Sequence, residues 1–468
     1  MPSTSDGLIT APARPRGRLL RILGVGFGLA VIIGNTIGAG ILRTPGEVAG
    51  HLPTTWLFLS VWVVGGLYAL LGAISIAELG TMLPKSGGQY VFAQHTFGDY
   101  VGFVVGWSDW ISTCGASAAI SVVIAEYLGV LFPLLAGRTV AIALAIVAAF
   151  AVLQWRGVRW GSHVQNVTSL LKALAFIALV VACFALGGKS GAPAPEETAN
   201  APASESLFLA FILALQAVIY TYDGWTGIIY FSEEVKEPAR DVPRALFGGV
   251  LAIIAIYMLV NLALLYVLPL PAFAGADLAV GSAATAIFGQ YGDTVIRALT
   301  ILSMLSAINA CQLMASRVIF AMSRDGLVSS RIVKVNQGGT PTLALLAGTV
   351  VAGLFIIGGN FENARQIFER IISVLAIFFV VSYAISFAAV FVLRRREPER
   401  ERPYKAWGYP VTTAISLVGS LAFLASSAAT DISTAASWRA FLSSTTFYSI
   451  ILLAASYPAY RGLKRLAS

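Results

Sequence analysis

Apolar runs long enough to cross a bilayer recur from one end of the chain to the other, separated by short polar stretches. They lie near residues 22–47, 54–78, 99–131, 139–155, 164–186, 207–235, 245–268, 284–322, 342–357, 367–393, 411–426 and 447–460. A vertical helix needs about 20 apolar residues to span the hydrocarbon core, so the pattern predicts about twelve transmembrane helices, the longer ones tilted. The polar stretch Pro84–His95 is too short to span and predicts an interfacial or re-entrant piece. The stretch 187–206, rich in Gly, Pro and Glu, predicts an exposed flexible connection. The opening 1–21 carries Arg14, Arg16, Arg18 and Arg21 among Pro, Ser and Gly, and predicts a short disordered tail.

Composition agrees with the pattern. Hydrophobic residues fill 57% of 468 positions and charged residues 12%, about half the charged share of a soluble chain. The class is an all-α polytopic membrane protein. More spans, rather than a small-residue cleavage site, follow the first run, so no signal peptide is expected.

The net charge of +8 bears on orientation, not on nucleic acid. With both termini cytoplasmic, one side collects Lys85, Arg156, Arg159, Lys236, Arg240, Arg244, Arg324, Arg331, Lys334, the 394–405 cluster, Arg461, Lys464 and Arg465. The other side keeps Arg43, Arg138, Lys189, Arg365, Arg370 and Arg439. This is the positive-inside bias.

Candidate catalytic chemistry is thin. Cys114, Cys183 and Cys311 fall inside apolar segments without metal-ligand spacing, as buried thiols do. His51, His95 and His163 lie far apart, and no GxxxxGK[ST] loop is present. Gly24-Val25-Gly26-Phe27-Gly28 lies inside a span with no preceding strand, which a nucleotide motif needs. Neither enzyme activity, a metal nor a cofactor is expected.

What the sequence does offer is two weak points in otherwise apolar helices. In the first span, Gly34-Asn35-Thr36-Ile37-Gly38-Ala39-Gly40-Ile41-Leu42 carries three glycines, each costing a helix roughly 1 kcal/mol relative to alanine. A break there frees backbone N–H and C=O groups that need partners in hydrocarbon. A zwitterion satisfies both kinds, its carboxylate on N–H groups and its ammonium on carbonyls. Alternatively, Gly34 and Gly38 let another helix pack closely.

The sixth span holds the second weak point, Tyr220-Thr221-Tyr222-Asp223-Gly224-Trp225-Thr226-Gly227. A carboxylate at that depth calls for a ligand, a wet cavity or a cation. Asp223 could also cap a half-helix beginning at Gly224. Breaks five spans apart are the pattern of a five-helix inverted repeat, in which half-helix N-termini face an anionic group and freed carbonyls a cation. The repeats would be 22–187 and 207–394, joined by the loop 188–206 and followed by two further helices in 395–468.

These stretches, with Ala77-Glu-Leu-Gly-Thr-Met-Leu-Pro-Lys-Ser-Gly-Gly-Gln-Tyr90, Glu233-Glu-Val-Lys-Glu-Pro238, Asp241-Val-Pro243, Ser316-Arg317 and Ser323-Arg-Asp-Gly326, carry a resemblance. The chain resembles the amino acid–polyamine–organocation transporters, most closely the L-type amino acid transporter branch. The resemblance implies the LeuT-type fold and alternating access, with helices 1, 2, 6 and 7 moving against the rest. It implies an L-amino acid site formed by Ile37, Gly38, Ala39, Gly40, Ile41, Tyr220, Asp223 and Gly224. The carboxylate would meet N–H groups at Ala39, Gly40 and Ile41, and the ammonium carbonyls at Ile37, Tyr220 and Asp223.

Tyr220 falls at the family's aromatic gate, where Phe is commoner. It could equally be a packed aromatic. Lys172, inside the fifth span, either snorkels to the interface or, by the resemblance, replaces a sodium ion. Its partners would then be Gly34, Ser306 and Asn309, and transport would be sodium-independent. The loop Phe132–Arg138 has no cysteine, so the disulfide-linked heavy chain of animal members is not expected. Within a cytoplasmic membrane, an organic-amine carrier or an amino acid sensor are the competing readings.

Overall fold

The structure is a computed structural model that describes residues 19–187, 206–359, 364–434, 441–442 and 444–467, the side chains at 364–376, 434, 466 and 467 excepted. The tail before residue 19, the connection 188–205 with Lys189, the side chains of Arg365 and Arg370, and Arg439 lie outside the described residues.

The first apolar run folds as two helices, α1 (Val25–Thr36) and α2 (Gly40–His51), bent by 47°. The chain then runs through α3 (Thr55–Met82), α4 (Gln89–Phe97), α5 (Asp99–Leu131), α6 (Thr139–Trp155) and α7 (Val158–Leu186). The second half holds α8 (Leu207–Tyr222), α9 (Pro238–Val267), the short α10 (Leu270–Phe273), α11 (Ala279–Phe288), α12 (Gly292–Arg324) and α13 (Thr342–Gly358). The helices α14 (Ala364–Arg396), α15 (Val411–Thr434) and α16 (Thr445–Ala467) complete it.

Among the described residues eight helices are long and apolar enough to span, nine with the bent pair as one, and α6 and α13 are shorter apolar helices. The protein is therefore an all-α polytopic membrane protein of the LeuT type, with its first and sixth spans broken.

Several boundaries differ from the sequence reading, each for a local reason. The predicted first helix starts late because Leu23 runs extended beside Val235: Leu23 N–H donates to Glu234 O at 2.9 Å, and Lys236 N–H to Leu23 O at 2.8 Å. Leu19 and Leu23 are buried, so this short strap closes one end of the bundle.

The polar 84–95 stretch, too short to span as expected, is mostly buried, with Lys85 and His95 exposed at its ends. Its helix α4 buries Tyr90, Val91, Phe92 and Ala93 against its neighbours. The segment after the second break is not the expected half-helix from Gly224. It is a turn followed by one 3-10 segment, Gly227–Phe231, all of it buried.

The two breaks lie side by side. Tyr257 of α9 donates its single hydroxyl hydrogen between Thr36 O and Thr221 O, each 2.9 Å away. Thr44 and Thr221 hydroxyls meet at 2.7 Å. The carbonyls at a helix C-terminus have no intrahelical donor, and Tyr257 serves one from each broken helix.

Candidate functional site

At the end of α1 the freed carbonyls are taken by the protein itself. Lys172, 1% exposed in α7, donates to Gly34 O at 2.8 Å and to Ile37 O at 2.5 Å. Ser303 donates to Ile37 O at 2.8 Å and Ser306 to Gly34 O at 3.2 Å, both from α12. The lysine stays at depth and does not snorkel. An ammonium offers three donors and a carbonyl oxygen two lone pairs, so Ile37 O is filled. The expectation that Ile37 receives a substrate ammonium therefore gives way: this carbonyl belongs to the lysine.

Asn309 is also displaced from the expected set. Its amide donates to Gly161 O at 3.0 Å and Gln165 Oε1 at 2.8 Å, and it accepts from Gln154 at 3.0 Å. It braces α7 about two to three turns before the lysine instead of touching it. Ser303 takes the place expected of Asn309. A polar stripe was the available signal, since Gln165, Ser169 and Lys172 share one face of α7 by their spacing.

The start of α2 is the opposite case. Among the described residues the N–H groups of Gly38, Ala39, Gly40 and Ile41 have no acceptor, as expected of a helix N-terminus. A Cβ placed on Gly38 would meet nothing within 4 Å. One on Gly34 would lie 2.1 Å from Gln165 Nε2 and 2.5 Å from Ser169 Oγ. The close-packing reading of the glycine pair therefore holds at Gly34, whereas Gly38 faces open space. Gly40 is intermediate, its Cβ position 3.1 Å from Thr221 Cγ2.

Across from this N-terminus, Tyr220 is 43% exposed although its neighbours Val218, Thr221 and Tyr222 are buried. It is not a packed aromatic. Asp223 ends α8, its N–H donating to Tyr220 O at 3.1 Å, and its carboxylate accepts from Tyr383 of α14. The Tyr383 ring stacks on Trp225 at 5.4 Å. Gly224 has φ +105°, which a side chain would resist, and a Cβ there would lie 2.7 Å from Asn35 Nδ2. The turn thus brings the backbone of the second break against the first. Asn35 Nδ2 lies 3.4 Å from Gly224 O. The sequence offered no sign of Tyr257 or Tyr383, each more than 30 residues from the break it serves.

The set is one of unpaired N–H groups, an exposed ring, a carboxylate and a fixed ammonium, assembled where two membrane helices stop. It belongs to a polytopic membrane protein with two helices interrupted side by side. The chain belongs to the amino acid permease family, whose model matches residues 28–456. It is similar to the serine/threonine exchanger SteT of Bacillus subtilis (strain 168), 29% identical over 452 residues that make up 96% of this chain and 98% of that one. It is 28% identical over 409 residues to the human Asc-type amino acid transporter 1, covering 84% of this chain and 75% of that protein. Against the human b(0,+)-type amino acid transporter 1 the identity is 27% over 400 residues, covering 83% and 79%.

Proposed function

We propose that the protein is a sodium-independent secondary carrier of L-amino acids in the cytoplasmic membrane, working by alternating access as an exchanger or with protons. The observation that carries this reading is the unpaired N–H cluster at Gly38–Ile41, open at Gly38, in a segment where water is scarce. A carboxylate is the ligand group that suits it, with the helix dipole adding to the attraction. A polyamine has no such group.

The ammonium of the substrate meets the Tyr220 carbonyl, which has a lone pair free beside the Asp223 N–H, and the Asp223 carboxylate. Tyr220 covers the bound molecule. Sodium is unnecessary because Lys172 already supplies a cation to the Gly34 and Ile37 carbonyls.

Both termini are cytoplasmic, by the distribution of Lys and Arg. The end bearing the Leu23 strap is closed, with the Arg317–Glu234 pair fully buried beneath it. The exposure of Tyr220 fits a vestibule reached from the other end. Cys114, Cys183 and Cys311 are buried.

The test is uptake of labelled amino acids into proteoliposomes, beginning with serine, threonine and a cationic amino acid. Saturable uptake without sodium, faster when the lumen holds amino acid, is the expected result. Uptake of putrescine alone would overturn the substrate class, and a sodium requirement would overturn the reading of Lys172.

A further inference from the structure

We propose that Asp109 is a proton-binding site whose occupancy is tied to closure of the strap end of the bundle. The proposal rests on the transport reading above but concerns a residue outside the substrate site.

Asp109 lies ten residues inside α5, about 15 Å from its start at 1.5 Å per residue. It is 2% exposed. Tyr230 Oη stands 3.0 Å from its Oδ1 and 2.9 Å from its Oδ2, and Thr113 Oγ1 is 3.5 Å from Oδ1. The Thr113 hydroxyl hydrogen is committed at 2.7 Å to the Asp109 backbone carbonyl.

One hydroxyl in short contact with both carboxyl oxygens has one hydrogen to offer them, and a protonated carboxyl matches the pair with a bond in each direction. One oxygen donates to Oη while the other accepts from it. An ionised Asp109 would leave one hydrogen shared between two oxygens.

The surroundings agree. Among the described residues no lysine, arginine or histidine forms an ion pair with Asp109, and a buried charge without a partner is costly. The titratable groups facing it are Tyr230 and Asp223 from the broken span, Cys311 from α12 and Cys114 from its own helix. Tyr383 of α14 lies within electrostatic reach of Tyr230, and Cys311 within reach of Lys172 as well as Asp109. All but Lys172 are neutral or acidic, and Lys172 is engaged with two carbonyls.

The link to closure comes from Tyr230. It sits on the 3-10 segment Gly227–Phe231, just before the residues that pair with Leu23. Its ring lies on the backbone of Gly88, where a Cβ would come within 2.4 Å, and its carbonyl accepts from Gly87 N–H at 3.2 Å. Opening this end moves the segment away from α4 and α5. Asp109 then loses its partner and meets water, to which its proton passes as hydronium, leaving a carboxylate; reclosure requires a proton to return from the same side. No other reactant takes part.

The experiment uses purified full-length protein in proteoliposomes with a pH-sensitive dye in the lumen. The wild type should carry no net protons across the membrane, and its exchange rate should change by up to about tenfold per unit of pH on the strap side across the titration of one group. Asp109→Asn keeps a hydrogen-bonding amide that cannot ionise, so exchange should continue with the pH profile flat.

Infrared difference spectra across pH give a readout independent of transport. The wild type should lose a protonated-carboxyl stretch that Asp109→Asn lacks and that Tyr230→Phe shifts. Absence of that band, or an unchanged pH profile in Asp109→Asn, would overturn the proposal. Failure of every amino acid to bind the wild type would instead overturn the transport reading.

Discussion

Lys172 Nζ donates to the Gly34 carbonyl at 2.8 Å across 138 residues of chain. The ammonium thereby fixes the point where α1 stops, and its second bond, to Ile37 O, spans the break itself. Removing it in Lys172→Ala deletes two hydrogen bonds from a charged donor, roughly 1.5–3 kcal/mol each. Transport should fall at least about tenfold on that basis. Circular dichroism should still report a helical protein, because Ser303 and Ser306 keep one bond to each carbonyl. Wild-type rates in sodium and in choline should be equal, and a sodium-stimulated rate would contradict the site as drawn.

Gly38 and Gly40 separate two effects that the sequence alone confounds. Gly38→Ala places a methyl group in open space at the mouth of the N–H cluster, where a carboxylate must approach. Substrate affinity should drop about tenfold, 1.4 kcal/mol, with thermal stability unchanged. Gly40→Ala instead presses on Thr221 Cγ2, 3.1 Å away, so it should lower the melting temperature. Equal affinity in Gly38→Ala and wild type, by binding isotherms, would move the carboxylate elsewhere.

The contrast shows what the sequence could carry. Runs of apolar residues locate spans because hydrocarbon admits little else, and paired glycines with a carboxylate mark where spans fail. Lys172 was legible for the same reason: a lone charge at depth needs a purpose. Side-chain partners across the bundle were not legible. Nothing local to Tyr257, Tyr383 or Ser303 distinguishes them from other buried hydroxyls, and nothing local showed that Asn309 faces away from Lys172. The strap at Leu23 was hidden too, since an apolar residue in an extended pairing reads the same as one in a helix.

Asp223 has Tyr383 as its hydroxyl donor and no cation among the described residues. A substrate carrying a cationic side chain would supply one, with a Coulomb attraction of roughly 4 kcal/mol at 4 Å for an effective dielectric of 20, before desolvation. Asp223→Asn should therefore weaken cationic amino acids about tenfold more than neutral ones. Competition assays with lysine and serine measure the ratio. Equal losses would assign Asp223 to the common ammonium alone.

Tyr257→Phe deletes the hydroxyl shared by Thr36 O and Thr221 O. The ring packing against Trp62 and Tyr222 is retained. The loss should be about 1–3 kcal/mol, that of unsatisfied buried acceptors, read as a lower melting temperature in detergent. Because the hydroxyl joins both breaks, substrate should protect the variant less than the wild type. Undiminished protection would mean that the two breaks bind substrate independently.

The Arg317–Glu234 pair is the strongest test of how the strap end is held. Both side chains are fully buried, with Nε to Oε1 at 2.9 Å and Nη2 to Oε2 at 3.0 Å, a two-point fork. Arg317 also donates to Ser316 Oγ at 2.9 Å and lies 5.2 Å from the centre of the Phe231 ring. Removing one partner strands a buried charge, at about 3–5 kcal/mol, whereas replacing both by apolar residues is often neutral. Arg317→Met and Glu234→Leu should each reduce yield and melting temperature, and the double variant should recover most of both. Glu234 lies in the strand-like pairing with Leu23, so the double variant should also keep the strap bound but open it without the charged fork to re-form. Its transport should then remain impaired although its stability is restored. Full recovery of transport would reduce the pair to a packing element, and no recovery of stability would show that the fork's hydrogen bonds, rather than its charges, close this end.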